Sequence, residues 1–187
     1  KLTITTSNPV RARFYEYPRF TYPWHFHSEY EIIYVEKGEG DCLVGDSIIS
    51  YSKGDLILFG SELPHSMQSP PDNGEESDNE EKSELKVKGV NIQFEKDFMH
   101  YSISQYSQFI PIRNLLEDAC RGIKFTITRS GKIIKLLKQI PSAKGADQII
   151  LLLSLLQMMA ISNHRKYLTT SHYTPSPSIM RNERMEK

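Results

Sequence analysis

His25 and His27 stand one residue apart in the run Trp24-His25-Phe26-His27-Ser28-Glu29-Tyr30-Glu31, which Gly38 closes. Side chains of an extended strand alternate faces, so both imidazoles, and Glu31 at the same parity, can point into one cavity. A second glycine-led segment, Gly54-Asp55-Leu56-Ile57-Leu58-Phe59, leads to Pro64-His65 and a third imidazole. Three imidazoles and a carboxylate are a donor set for a divalent transition metal, which would activate water or bind dioxygen in an enzyme. Without a metal, the same groups hydrogen-bond a small polar effector. A neutral histidine offers both a donor and an acceptor, and a carboxylate accepts two or more bonds, which suits hydroxyl-rich ligands. A third reading is structural, with the histidines satisfying backbone groups at the cavity mouth and one another. Trp24, Arg13, Tyr15 and Tyr34 would add stacking surface and polar contacts, although each on its own also suits packing.

The elements that must carry these groups read as strands over 10–98. Arg11 to Tyr17 carries aromatic residues without helical spacing, and Pro18 and Pro23 break any helix. Glu31 to Glu36 is rich in β-branched and aromatic residues. Asp41 to Val44 and Ser47 to Tyr51 flank Gly45-Asp46, a hairpin signal. Lys53-Gly54-Asp55 is another turn, followed by the apolar strand Leu56 to Phe59, and Lys86 to Phe94 is a further strand. Short strands with turns at this spacing indicate a barrel or sandwich. Residues 69–84 are acidic, turn-rich and without apolar side chains, the composition of a mobile loop between two strands.

From Ile112 the period changes. Leu115, Leu116, Ala119 and Cys120 recur at helical spacing before a stop at Gly122, and Ile133 to Ile140 forms a second amphipathic helix ending near Pro141. A third helix is expected from Ala146 to Asn163, apolar nearly all round and therefore in need of cover on every side. Its Ile149, Leu152, Leu153, Leu156 and Met159 are expected at a homodimer interface, because an apolar strip of that size is unusual on a monomer surface. The domain plan is thus a β unit over 1–98, a helical dimerisation segment over 99–168, and a Ser/Thr/Pro-rich linker over 169–187.

Lysine plus arginine and aspartate plus glutamate both number 23, so the formal net charge is zero. Duplex-binding modules carry a basic patch or a high isoelectric point, and neither is evident. Cys42 and Cys120 do not make a disulfide framework or a zinc-ribbon pattern. The first twenty residues lack the apolar run of a secretory signal, and the apolar stretch from Ile149 to Ile161 falls short of the roughly 18 residues of a membrane span. A cytoplasmic protein is expected, with no membrane contact.

The spacing from His25 to Gly38 resembles the first motif of the cupin superfamily, HxH, three residues, Glu, six residues, Gly. The second motif is looser: Gly54 and His65 are in place, but Gly60, Glu62 and Ser69 stand where cupins usually have Pro, Gly and Asn. The strings from His27 to Gly40, Lys53 to Phe59, Leu63 to His65 and Val90 to Phe98 further resemble the effector-binding domain of AraC-type transcription regulators, a likeness that covers nearly the whole chain. It implies a mainly β fold with C-terminal helices, in which a cupin-like antiparallel β-barrel of jelly-roll type holds a small-molecule effector. In that family a DNA-binding module with two helix-turn-helix units follows, and the resemblance places it after Lys187. DNA would then be contacted only through that module. Family members often keep the motif while using the barrel as a sensor for sugars or other metabolites. No cofactor is therefore expected, with a divalent transition metal at His25, His27, Glu31 and His65 as the other course. A carbohydrate is the first candidate effector, and a stand-alone metal-dependent cupin enzyme, a dioxygenase or isomerase, is the alternative function.

Overall fold

The computed structural model describes residue 4 and residues 8–70, 87–127 and 131–174. The acidic stretch expected as a mobile loop falls almost wholly outside these residues, as does 175–187. Among these residues nine strands form two antiparallel sheets that face each other across the cavity. They are β1 (Val10–Tyr17), β2 (Tyr30–Lys37), β3 (Gly40–Val44), β4 (Ser47–Tyr51), β5 (Asp55–Phe59), β6 (His65–Gln68), β7 (Val87–Phe94), β8 (Ile123–Thr126) and β9 (Arg165–Tyr167). The large sheet runs in the order β1-β7-β2-β5-β8-β9 and the small one β4-β3-β6. This is a cupin-like double sheet rather than one closed ladder.

Strict alternation explains the layering. On β2, Tyr30, Ile32 and Tyr34 face one side of the large sheet, while Glu31, Ile33 and Val35 face the other. The first side joins Leu56, Leu58, Val90, Ile92 and Phe94 in an apolar layer that the helices cover. The second side faces the small sheet, where Val35, Cys42, Val44, Ile57, Phe59 and Met67 close the bottom. β7 approaches β2 so closely that a Cβ on Gly89 would lie 1.8 Å from the Tyr34 carbonyl oxygen. The register shifts just there, between Val35 and Lys37.

Among the described residues four α-helices follow the first seven strands, with β8 between them: α1 (His100–Gln105), α2 (Ile110–Asp118), α3 (Gly131–Gln139) and α4 (Gly145–Ala160). The expectation of a purely helical segment over 99–168 needs correction. Gly122 ends the helical turn after α2 in a left-handed conformation (φ +61°), and Ile123-Lys124-Phe125-Thr126 then alternates as a strand against β5. β9 pairs with β8 and completes that edge. The linker expected from residue 169 is corrected as well. Thr169 is buried, and Thr170 donates from its backbone N (3.1 Å) and its hydroxyl to the Asp46 carboxylate at the β3–β4 turn. Tyr173 packs on the same small-sheet core.

Helix α4 is covered by its own subunit more fully than its sequence suggests. Leu152, Leu156 and Met159 are completely buried against the large sheet and neighbouring helices, so they are not available to a dimer interface. Ile149 and Leu153 are half-buried against the same core. The outward apolar groups are instead Ile150, 57% exposed, and Ile161, 63% exposed. The reason is geometric: α2 and α3 both pack on α4, and they shield flanks that a helix on a bare sheet would leave open.

Candidate functional site

The cavity between the sheets encloses about 460 Å³ and is lined from four directions. β1 contributes Arg11, Arg13, Tyr15 and Tyr17; β2 contributes Glu31 and Ile33; β7 contributes Asn91 and Gln93; β6 and the segment before β2 contribute His65, Met67, Phe20, Tyr22, His25 and His27. Register explains the convergence. Arg11, Gln93 and Glu31 form one row across β1, β7 and β2, and Arg13, Asn91 and Ile33 form the next. The histidine segment is an extended stretch with a single bridge rather than a regular strand. His25 N donates to His65 O (3.1 Å) and His65 N donates to His25 O (2.9 Å), which sets the two rings 4.5 Å apart.

Glu31 is the floor of the site and is 6% exposed. Its Oε2 accepts from His27 Nε2 (3.0 Å) and His65 Nε2 (2.9 Å). Its Oε1 accepts from Asn91 Nδ2 and from Gln93 Nε2 (3.1 Å). Burial pushes its carboxyl upward, but the hydrogen bonds and charges of His27 and His65 outweigh this and hold it well below the usual carboxylate range. A carboxylate with four donors is fully satisfied even in a low-dielectric interior. Burial draws His27 down, whereas its hydrogen bond to Glu31 and the charges of Glu31 and Glu29 raise it above the ordinary histidine value. His25, which makes no bond to Glu31, is lowered by burial. A ring stack with Phe59, 4.1 Å between centroids and 8° between planes, fixes the His65 imidazole.

Each imidazole is also held from behind. Nδ1 of His25, His27 and His65 lies 2.8, 3.1 and 2.8 Å from the carbonyl oxygens of Pro23, Glu29 and Leu63. Such contacts aim Nε2 inward, the orientation that metal-ligating histidines adopt, and to hold a metal Nε2 of His27 and His65 would have to give up their bonds to Glu31. One ligand atom from each of His25, His27, Glu31 and His65 lies within 4.8 Å of every other. The donor set therefore fits a divalent transition metal, with these four residues as the group that would hold it.

Of the residues singled out in the sequence, His25, His27, Glu31, His65, Arg13 and Tyr15 all line this cavity. Two do not. Trp24 has the parity opposite to its histidine neighbours and projects outward, 37% exposed. Tyr34 belongs to the even-numbered face of β2 and is buried in the helix-side core. Sequence reasoning passed over Arg11, Tyr17, Phe20, Tyr22, Asn91 and Gln93. A signal was present for four of them: Arg11-x-Arg13-x-Tyr15-x-Tyr17 alternates with period two, and Asn91 and Gln93 are polar positions inside an otherwise apolar central strand. Phe20 and Tyr22 lie in an irregular segment with no period to read.

Comparison with known proteins agrees with this architecture. Residues 8–77 match the AraC-like ligand binding domain. Among solved structures, the chain is similar to Vibrio cholerae ToxT bound to (E)-4-(8-methylnaphthalen-1-yl)but-3-enoic acid, with 13% identity over 83% of this chain and 59% of that one and a TM-score of 0.50. An apo variant of ToxT from the same species gives 15% identity over 81% and 54% of the two chains, again with a TM-score of 0.50. A Methanocaldococcus jannaschii cupin family protein with a double-stranded β-helix fold is a weaker likeness, with 14% identity over 50% and 76% and a TM-score of 0.37. The chain spans between 53% and 61% of the length of the ToxT chains it matches. No curated protein matches its sequence. Residues 8–77 thus match the AraC-like ligand binding domain, here on a cupin-like double sheet backed by helices.

Proposed function

We propose that this chain is the effector-sensing part of an AraC-type transcription regulator and that a small polar metabolite occupies the cavity between its sheets. Sensing without chemistry is the reading that the state of Glu31 supports best. All four of its hydrogen bonds come from fixed protein donors, so the carboxylate serves as a keystone of the cavity floor. A general base or nucleophile would instead need an oxygen directed at substrate. The aromatic faces of Tyr15, Tyr17 and Phe20 beside polar groups suit a sugar or a sugar-like molecule. ToxT offers a shared fold at low identity, so the effector is inferred from this chain's own cavity. Two copies pair through the outward face of the helices, and a separate helix-turn-helix module contacts DNA, consistent with the balanced charge of this chain.

The alternative, a metal-dependent cupin enzyme, has one observation in its favour: the three carbonyl contacts that aim each Nε2 inward. A metal held there would supply a Lewis acid and activate bound water or dioxygen.

Thermal unfolding with a metabolite panel, combined with elemental analysis, separates the two. Under the sensing reading a metabolite raises the melting temperature by mass action, His65→Ala weakens that shift, and a chelator changes nothing. Stoichiometric metal together with chelator-induced destabilisation would transfer the site to the enzyme reading. No helix among the described residues is long and apolar enough to cross a membrane.

A further inference from the structure

His65 ends a short loop, residues 60–65, and its ring is clamped to that loop on two sides. Nδ1 lies 2.8 Å from the Leu63 carbonyl oxygen, and the imidazole stacks on Phe59, the residue just ahead of Gly60. Midway, Glu62 N donates to His27 O (2.8 Å), which joins the loop to the other histidine on the Glu31 carboxylate. Glu62 holds a left-handed backbone (φ +61°), a conformation that residues with a side chain rarely adopt, so the loop is kept under strain.

The two ends of the loop are fastened to different turns, and both turns hold the same segment. At the first end, a Cβ on Gly60 would lie 2.5 Å from the Ala119 carbonyl oxygen, so the loop runs against the backbone of the helical turn Ala119–Arg121. Leu168 N donates to Gly122 O (3.0 Å) just beyond that turn, Thr169 N to Arg121 O (3.1 Å), and Arg121 Nη2 to Thr169 O (3.2 Å). At the second end, Gly45 N donates to Pro64 O (2.9 Å), and the adjacent Asp46 grips Thr170 through its carboxylate. A Cβ on Gly45 would lie 2.7 Å from Thr169 Cγ2. Loop 60–65, the Ala119–Arg121 turn, residues 168–170 and the 45–46 turn therefore close a ring. Apart from Asp46 on Thr170, each of its joints includes a contact of backbone with backbone. Packed interiors deform little, so a displacement at one joint passes to the next instead of being absorbed.

We propose that this ring reports the state of the cavity: a ligand that engages His65 or His27 displaces loop 60–65, and both ends deliver the displacement to residues 168–170. This rests on the effector-sensing reading and assigns the output of that site. A ligand group at Nε2 of either imidazole competes with Glu31 Oε2. A His65 ring that gives up Glu31 carries Phe59 and Leu63 with it, and so moves both ends of the loop. The opposite wall of the cavity, β1, pairs with β7 and enters no joint of the ring. It supplies binding surface without a share in the output.

Hydrogen exchange resolved amide by amide on the whole chain tests the coupling in both directions, because coupling between two sites is reciprocal. Rates are taken relative to amides of the β2–β7 ladder, which report general opening. Asp46→Ala and Thr170→Val, both at exposed positions, release the ring from outside, and the Glu62 and His65 amides should then exchange about tenfold faster. His65→Gln disturbs it from inside, and the Leu168, Thr169 and Thr170 amides should respond by a similar factor. Leu156→Ala, a core change on α4 outside the ring, should leave all five relative rates where they were. Glu62 and His65 amides that ignore both outer substitutions overturn the proposal, as does an equal response to Leu156→Ala. Should His65→Gln fail to fold, the two outer substitutions decide alone. None of these measurements needs a ligand, so the coupling can fail while metabolite-induced thermal shifts still uphold sensing. A coupled ring in a protein whose melting temperature no metabolite raises would overturn the sensing reading, and the reporting role with it.

Discussion

At the scale of single residues, Glu31 organises the site. It ties β2, β6, β7 and the histidine segment together through four side chains, so a change there is felt on four elements at once. Glu31→Gln keeps the shape but replaces an acceptor with an amide that must face a donor. Hydrogen bonds to a charged group contribute about 1.5–3 kcal/mol, and we expect a loss of about 2–3 kcal/mol in urea unfolding. His65→Ala, which also removes the stack on Phe59, should weaken any ligand-induced thermal shift more than His25→Ala does. His25 makes no bond to Glu31 and leans on the Pro23 carbonyl instead. Much of this was legible in the sequence, because the HxH spacing and the parity of Glu31 are facts of strand geometry. Asn91 and Gln93 were not singled out, because a polar residue in a central strand declares its partner only once the register is known.

At the scale of elements, the alternating strands and the switch to helical period near Ile112 were readable, and β1 to β5 and β7 lie where alternation put them. β8 and β9 were hidden: each is at most four residues long, too short for a period to stand out between helices. Their strand identity comes from the open edge of β5, a tertiary fact. Two substitutions probe the layers. Gly89→Ala would force a Cβ into the Tyr34 carbonyl at 1.8 Å, and because the obstacle is backbone the sheet must shift. Overpacking of this kind costs typically 1–3 kcal/mol, and we expect a loss at the upper end by denaturant titration. Leu156→Ala, at a completely buried position on α4, should cost about 2–5 kcal/mol through lost burial and the cavity left behind. The same substitution would be nearly silent in a monomer if Leu156 lay at a surface waiting for a second subunit.

At the scale of the whole molecule, the question is association. The apolar circumference of α4 pointed to a dimer through Leu152, Leu156 and Met159, yet three-dimensional packing assigns those residues to the interior. A pattern that is apolar on every side cannot reveal which neighbours do the covering. The face left for a partner includes Ile150 on α4 and Ile161 just beyond its end. We expect a dimer at tens of micromolar by light scattering, converted to monomer by Ile150→Glu with Ile161→Glu, with no loss of thermal stability in the monomer beyond the lost association. A dimer unchanged by both substitutions would place the interface elsewhere. Gel shifts with operator DNA should show no salt-sensitive, sequence-specific band from this chain, given its zero net charge.

The segment that leaves the helices crosses from one sheet to the other: β9 zips onto β8 of the large sheet, and Thr170 then grips Asp46 on the small one. It works as a seam along one flank, which makes the smallest self-sufficient unit longer than the helices alone would indicate. Cleavage ahead of Arg165 would strip β8 of β9 and uncover Leu168, leaving a sticky flank, whereas cleavage after Tyr173 would spare both attachments. Limited proteolysis should therefore stall before cutting between Ala160 and Tyr173, with Asp46→Ala letting the protease travel on toward Ala160.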